Sequence, residues 1–377
     1  MLNKLIYVLL LFAPFSTTLA QPNWMSVNST ILGKKRLNEI AIPGAHDAGT
    51  FPISASKGGR FKLGGGGGVT SPDNRRLKRV LSFGYSFSAW AKTQERTTSE
   101  MLADGIRYFD IRVCVDDKGV LMTCHGLYGA SVASILSDVK KFIDRHPKEL
   151  ILLGFNHFWD RKYQMQQNKG QGEIEGLRED KWIELVDLVK SKLRNDLISS
   201  KRFSPKSELN ELWKLKNNNR VIALFDTDDV TDDEMIWKRR EENTWVEGWD
   251  IDAYKEGTLK VLQNALNEQY ADKFYAVRSS VTPDENGKLI SLGFIYSHYP
   301  DSVSELADMT NPVVLGWIKD EWHGKYPINL IWSDFYNRTD LIKLAKHING
   351  IKVDFTETKI GTETNWLKWK KSKEDKN

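Results

Sequence analysis

Apolar residues along the chain follow two alternating rhythms. Short, nearly continuous apolar runs at Glu39–Pro43, Arg107–Val113, Leu150–Phe155, Arg220–Asp226, Lys273–Val281, Val313–Trp317 and Asn329–Phe335 predict strands. Several are apolar throughout, as a parallel strand buried on both faces requires. Between them lie segments with helical spacing. In Ser131–Arg145, the residues Val132, Ile135, Leu136, Val139, Phe142 and Ile143 share one face, Ser131 can cap the start, and Pro147 stands just beyond the end. Arg178–Leu197, Tyr254–Tyr270 and Thr339–His347 predict further helices. Strands alternating with helices, without an internal repeat, predict a βα-repeat fold.

The chain's 377 residues suit one large α/β barrel with insertions, for which about 250 residues are typical. Two regions break the rhythm. Residues 52–89 contain Gly64–Gly68 and the basic cluster Arg75, Arg76, Lys78 and Arg79, which predicts an insertion without regular structure. It lacks the Gly-Lys-Ser/Thr ending of a phosphate-binding P-loop. The basic tail 361–377, with Trp366 and Trp369 among lysines, predicts a frayed surface helix. At the other end, Lys4, the apolar run Leu5–Phe15 and Thr18-Leu19-Ala20 predict a cleaved signal peptide over residues 1–20. Residues 21–360 would then form one domain of an exported, extracellular protein. Two sequons, at Asn28 and Asn337, suit that route.

Acids and bases are mixed along the chain, and the net charge is only +4. No basic block marks a nucleic-acid partner. Nothing points to an obligate protein partner. Thirteen tryptophans is a large number; most are expected in the core, with some at a lipid surface, where an amphipathic ring is at home.

Candidate chemistry begins at Ile40–Phe51, where a strand runs into Pro43-Gly44-Ala45-His46-Asp47-Ala48-Gly49. Reactive side chains of a βα barrel sit at the carboxyl ends of strands, which is where His46 falls. A second cluster follows. Phe109-Asp110-Ile111-Arg112 ends a strand, and Val120–Gly126 returns after a turn at Asp116–Gly119, predicting a β-hairpin. Pairing 116 with 119 sets 112 opposite 123 and 110 opposite 125, so Asp110, Arg112 and His125 share a face. The same register sends Cys114 and Cys124 to opposite faces, predicting two free thiols unless a bulge intervenes.

His46-Asp47 within Ile-Pro-Gly-Ala-His-Asp-Ala-Gly-Thr, Phe-Asp-Ile-Arg at 109–112 and His125-Gly126 together resemble the X domain of phosphatidylinositol-specific phospholipase C, of the bacterial and X-domain-only type. The resemblance spans most of 38–348, including His146-Pro147-Lys148-Glu149 and Ile331-Trp332-Ser333-Asp334-Phe335. It implies a distorted TIM (β/α)8 barrel of the phospholipase-C-like phosphodiesterase type. It also implies a two-histidine cleavage of phosphatidylinositol, or of a glycosyl-phosphatidylinositol, through a cyclic inositol phosphate at a membrane surface. In that scheme His46 is the general base, His125 the general acid, and Arg112 holds the phosphate. Asp47 supports Arg112 and the leaving-group side, and Asp334 orients His46. Calcium-dependent relatives would need a further acid where Arg112 stands, so no metal and no cofactor is expected. For the head group the candidates are Asn156, His157, Asp226, Asp252 and Tyr254. Trp90 and Phe87, with Phe83 and Tyr85, would form an interfacial lip.

Two other functions share these features. One is a related barrel phosphodiesterase acting on another lipid head group, which would be expected to use a metal with clustered acids. The other is a secreted lipid-binding protein without catalysis, against which the intact set His46, Asp47, Arg112, His125 and Asp334 stands.

Overall fold

The computed structural model describes residues 21–53, 87–167, 175–215, 220–229, 233–238, 241–243, 251–266, 272–281 and 300–356. The expected leader at 1–20, most of the glycine-rich insertion with Phe83 and Tyr85, and the basic tail lie outside them.

Ten strands are described: β1 (Ile42–Ala45), β2 (Tyr108–Val115), β3 (Leu121–His125), β4 (Leu127–Ser131), β5 (Ile151–Asp160), β6 (Val221–Phe225), β7 (Ile236–Lys238), β8 (Glu241–Asn243), β9 (Phe274–Arg278) and β10 (Leu330–Ser333). Eight pair in the order β7-β6-β5-β2-β1-β10-β9-β8, all parallel, and β3 and β4 extend antiparallel from β2. From β1 outward in both directions, that is the chain order of an α/β barrel, with β7 and β8 at the two ends of the sheet. Only residues 239 and 240 separate β7, which pairs with β6, from β8, which pairs with β9. Two residues cannot hold a crossover helix, so the repeat is irregular there. The expected distorted barrel is the observed one.

A period of two explains both cores. On the outer face of the sheet, Phe109, Ile111, Val113, Ile151, Leu153, Phe155, Val277 and Ile331 pack with Val132, Ile135, Leu136 and Val139 of the helix Val132–Arg145. Inward, Ile42, Tyr108, Leu152, Ile222, Leu224, Ala276, Leu330 and Trp332 form a second cluster. Tyr108 stacks on Trp332 with centroids 4.7 Å apart. Gly44 and Gly154 leave room for the Tyr108 ring, which any Cβ at either position would meet. Continuing the inward series to the strand ends gives His46, Asp110, Arg112, Asn156, Arg278 and Asp334. An oily floor thus changes abruptly into a charged rim.

The opposite end of the barrel is closed by the start of the described chain. Trp24 and Met25 are fully buried there, and Glu149 accepts from the backbone N–H groups of Met25 (3.3 Å) and Ser26 (2.8 Å). Glu149 also pairs with fully buried Arg107 at 2.8 Å, and Arg107 Nη2 donates to the Pro22 carbonyl at 2.6 Å.

Two expectations are corrected. Val313–Trp317 is not a strand but the end of the helix Val303–Trp317, in which Val313, Val314, Leu315 and Trp317 are all buried. A short apolar run reads the same as a buried strand or as part of a buried helix. The hairpin turn is one residue longer than expected. Asp116 N donates to Val120 O at 3.0 Å, Gly119 takes the left-handed conformation (φ 84), and the register is Val113↔Thr123. That one-residue slip puts Cys114 and Cys124 on the same face, where they form a disulfide with Cα atoms 5.9 Å apart. By alternation it would also turn His125 away from Arg112. An irregularity in the β3–β4 register between Met122 and Cys124 intervenes, and His125 still reaches the rim.

Thiol titration of the unfolded, unreduced protein is expected to find no free thiol; two would contradict the bridge. Replacing both cysteines by alanine is expected to cost about 2–3 kcal/mol in urea unfolding. Glu149→Ala strands the buried Arg107 charge and is expected to cost about 3–5 kcal/mol in the same assay.

Candidate active site

The loop after β1 turns sharply at Asp47, whose φ is 43. His157 (φ 47), inside β5 where its pairing with β2 is irregular, and Phe335 after β10 (φ 46) are the other non-glycine residues with positive φ among those described. Asp47 and Phe335 stand just past the carboxyl ends of their strands and His157 in the carboxyl half of β5, where strained backbone re-aims side chains.

Five side chains singled out by the sequence meet there. His46 Nδ1 lies 2.7 Å from Asp334 Oδ1, and both are buried. Asp47 extends one carboxylate between three partners: Oδ1 is 2.6 Å from Arg112 Nε, while Oδ2 is 3.5 Å from His46 Nε2 and 3.7 Å from His125 Nε2. Arg112 Nη2 approaches His46 Nε2 at 3.5 Å. His125 Nδ1 is 3.0 Å from the Ala91 carbonyl. Because a carbonyl oxygen only accepts, that Nδ1 carries a proton and Nε2 is left facing Asp47. The Asp334 carboxylate fixes His46 in the same way, with Nδ1 as donor and Nε2 turned inward.

The electrostatics follow from burial and charge. Burial alone would lower the pKa of His46, but Asp47, Asp334 and Asp110 together outweigh it and raise it. For Asp47, burial alone would raise the value. Arg112 first, then His46 and His125, bring it down to about 2. Arg278, fully buried at the end of β9, has its guanidinium value lowered to about 10 by burial, against the fields of Tyr254, Asp110 and Asp334.

Several residues were not anticipated in these roles. Asp110 Oδ2 accepts from the Asp47 backbone N–H at 3.0 Å and lies 3.7 Å from His46 Nε2; its Oδ1 accepts from Asn156 Nδ2. Glu175 lies 3.3 Å from His157 Nδ1. Glu175 follows a segment with no strand or helix signal, so nothing in the sequence tied it to the site.

Of the expected head-group residues, Asn156 and His157 stand at the rim, and Asp226 is exposed just past β6. Two do not fit. Tyr254 is fully buried in the helix Ile251–Asn264, and its hydroxyl donates to the Arg278 carbonyl. Asp252 is exposed in the first turn of that helix, not at a strand end. An Asp-x-Tyr spacing at a helix start puts the two side chains on different faces. Trp90 is also corrected: it is 6% exposed and therefore packed, not an interfacial lip. Phe87 begins the helix Phe87–Ala91, and its side chain lies outside what is described.

His46, Asp47 and Asp110 bring three possible ligand atoms within 4.8 Å of one another. The set fits a cation poorly. Arg112 already sits against Asp47, and the raised pKa of His46 favours an imidazolium over the neutral ring a metal needs.

Eight parallel strands in this order, carrying their charged groups at the carboxyl end, define the class: an irregular α/β barrel. No family model matches the chain. It is 24% identical over 345 residues to PI-PLC X domain-containing protein 2 of Mus musculus, covering 89% of this chain and 90% of that one. Among solved structures, phosphatidylinositol-specific phospholipase C from Staphylococcus aureus superposes with a TM-score of 0.55 at 18% identity, covering 89% of this chain and 98% of the other. The enzyme of that name from Listeria monocytogenes gives 0.53 at 14% identity, covering 88% and 99%. The resemblance to the X-domain family therefore holds over most of the chain, on a barrel shared with the bacterial proteins.

In an NMR titration, His46 is expected to lose its proton above the ordinary histidine value of about 6.5. Asp334→Asn is expected to move that midpoint downward. Since the folded value is raised, the stabilisation from His46 is complete below about 6.5 and is lost as pH rises through the folded value. Asp47 has the opposite sign: its stabilisation holds above the ordinary aspartate value of about 3.9 and is lost as pH falls toward about 2.

Proposed function

We propose that this protein is a metal-independent phosphodiesterase that cleaves phosphatidylinositol, or the inositol phosphodiester of a glycolipid anchor, by paired histidine acid–base catalysis. One observation carries the reading. A single buried carboxylate, Asp47, faces two imidazoles whose Nδ1 atoms are each anchored from behind and whose Nε2 atoms both point at it, with Arg112 alongside.

The chemistry is derived from those atoms. His46 Nε2 takes the proton from the inositol 2-hydroxyl as that oxygen attacks phosphorus, and Asp334 stabilises the imidazolium that forms. The bond from phosphorus to the diacylglycerol oxygen breaks on the opposite side. His125 Nε2–H supplies the proton to that leaving oxygen, giving diacylglycerol and a cyclic inositol phosphate. Arg112 offers fixed donors to the phosphoryl oxygens as charge builds on them. Asp47 keeps Arg112 in place and faces His125 Nε2 across the site. Asn156 and His157, at the end of the neighbouring strand, stand where a head group would extend.

Export is part of the proposal. The Cys114–Cys124 bridge suits an oxidising compartment, in keeping with the leader-like first twenty residues.

The deciding assay incubates the protein with phosphatidylinositol vesicles in excess chelator and detects diacylglycerol and inositol cyclic phosphate. Activity is expected there. Its loss in chelator and recovery with calcium would overturn metal independence. His46→Ala and His125→Ala are each expected to lower kcat by ~10²–10⁴-fold. Wild-type rates in both would end the mechanism. The acid limb of the kcat/KM profile is expected above 6.5, because His46 must first lose its proton.

A further inference from the structure

The segment Ala91–Gln94 touches every catalytic loop while supplying no side chain to the reacting atoms. The Ala91 carbonyl receives Nδ1–H of His125 at 3.0 Å. Lys92 Nζ donates to the carbonyls of Phe51 (3.0 Å) and Ile53 (2.9 Å), at the far end of the His46 loop. Thr93 O accepts from Phe335 N at 2.7 Å, next to Asp334. Gln94 Nε2 donates to two carbonyls, His46 O and Ser333 O, both at 2.8 Å. Thr93 and Gln94 are fully buried.

The polarity of this network can be worked out. Thr50 Oγ1 accepts from the backbone N–H groups of Thr93 and Gln94, each at 3.1 Å, which uses both of its lone pairs. Its own proton must then go to Thr93 Oγ1, 2.6 Å away. Thr93 Oγ1 in turn directs its proton to the carbonyls of His46 and Asp47, both at 3.2 Å. Those two carbonyls bracket the left-handed turn at Asp47, a conformation that a non-glycine residue keeps only when its surroundings over-determine it. Gln94 has two amide protons and spends both on carbonyls, one on the β1 side and one on the β10 side. No other residue type presents two neutral donors on a side chain of that length.

We propose that Thr93 and Gln94 are positioning residues: they hold the Asp47 turn and the His46 backbone in register with His125, and so set the spacing between base and acid. The same short segment fixes both imidazoles, so loosening it displaces them relative to each other and not only relative to the lipid. This rests on the acid–base reading of His46 and His125.

Thr93→Val keeps the shape and removes the hydroxyl; Thr93→Ser keeps the hydroxyl. Gln94→Leu removes both donors, and Gln94→Glu replaces them with an acceptor. Against phosphatidylinositol vesicles, Thr93→Val, Gln94→Leu and Gln94→Glu are each expected to lower kcat by roughly 10–10²-fold with KM within about twofold. Thr93→Ser is expected to recover most of the rate. The second readout needs no substrate: the NMR titration midpoint of His46 is expected to shift in Thr93→Val and return in Thr93→Ser, in samples with wild-type circular dichroism. Folded Thr93→Val and Gln94→Leu proteins with unchanged kcat and unchanged His46 midpoint would overturn the proposal, while His46→Ala and His125→Ala remained impaired. If those two histidine variants kept full activity, the acid–base reading would fall instead, and the His46 midpoint would still decide whether the network sets the ring's environment.

Discussion

One buried carboxylate organises the working end of this barrel. Asp47 lies out of water, so its charge persists only because Arg112 is 2.6 Å away and two imidazoles face it. That requirement runs in both directions. Arg112 needs an anion to sit at the end of an apolar barrel, and His46 is drawn toward its charged form by the same carboxylate. The left-handed backbone at Asp47 directs the side chain into this position. The cost of that turn is met by hydrogen bonds from Thr93 and by the Asp110 carboxylate, which accepts the Asp47 N–H.

The barrel beneath makes such a cluster tolerable. Inward positions are aromatic and aliphatic up to Tyr108 and Trp332, then become ionic within one or two residues along each strand. The glycines at 44 and 154 make room for the Tyr108 ring, so the polar groups rest on a packed floor of Tyr108 and Trp332. Charges on a dry floor interact strongly with one another and with whatever enters from the open side.

How much of this was legible follows from the range of each signal. The strands β1, β2, β5, β6, β9 and β10 announced themselves because burial on both faces leaves uninterrupted apolar runs. The run at 313–317 had the same composition and proved helical, since periodicity cannot be judged over so few residues. His46, Asp47, Arg112, His125 and Asp334 were found through strand-end position and motif, and they do converge. The hairpin register failed by one residue because an Asp-Asp-Lys-Gly tip supports a two- or a three-residue turn, and parity amplifies that single choice into a changed face for each cysteine. Tyr254 and Trp90 were misplaced because spacing alone cannot say which side of a helix meets solvent. Gln94 escaped notice, and Asp110, placed on the right face, was not given its role, for a different reason. Their contacts include backbone groups of His46, Asp47 and Ser333 far away in sequence, and only the folded sheet brings those together.

The sealed lower end bears on how the molecule can be handled. Trp24 and Met25 are buried against the amino-terminal side of the strands, where Arg107 and Glu149 grip the backbone around them. Along β5, Glu149 and Asn156 are separated by roughly 20–25 Å of extended chain. Tethering the protein to a bead or sensor chip through its N-terminal side therefore holds it by the heel, leaving the rim pointed into the bulk and open to a vesicle drifting past.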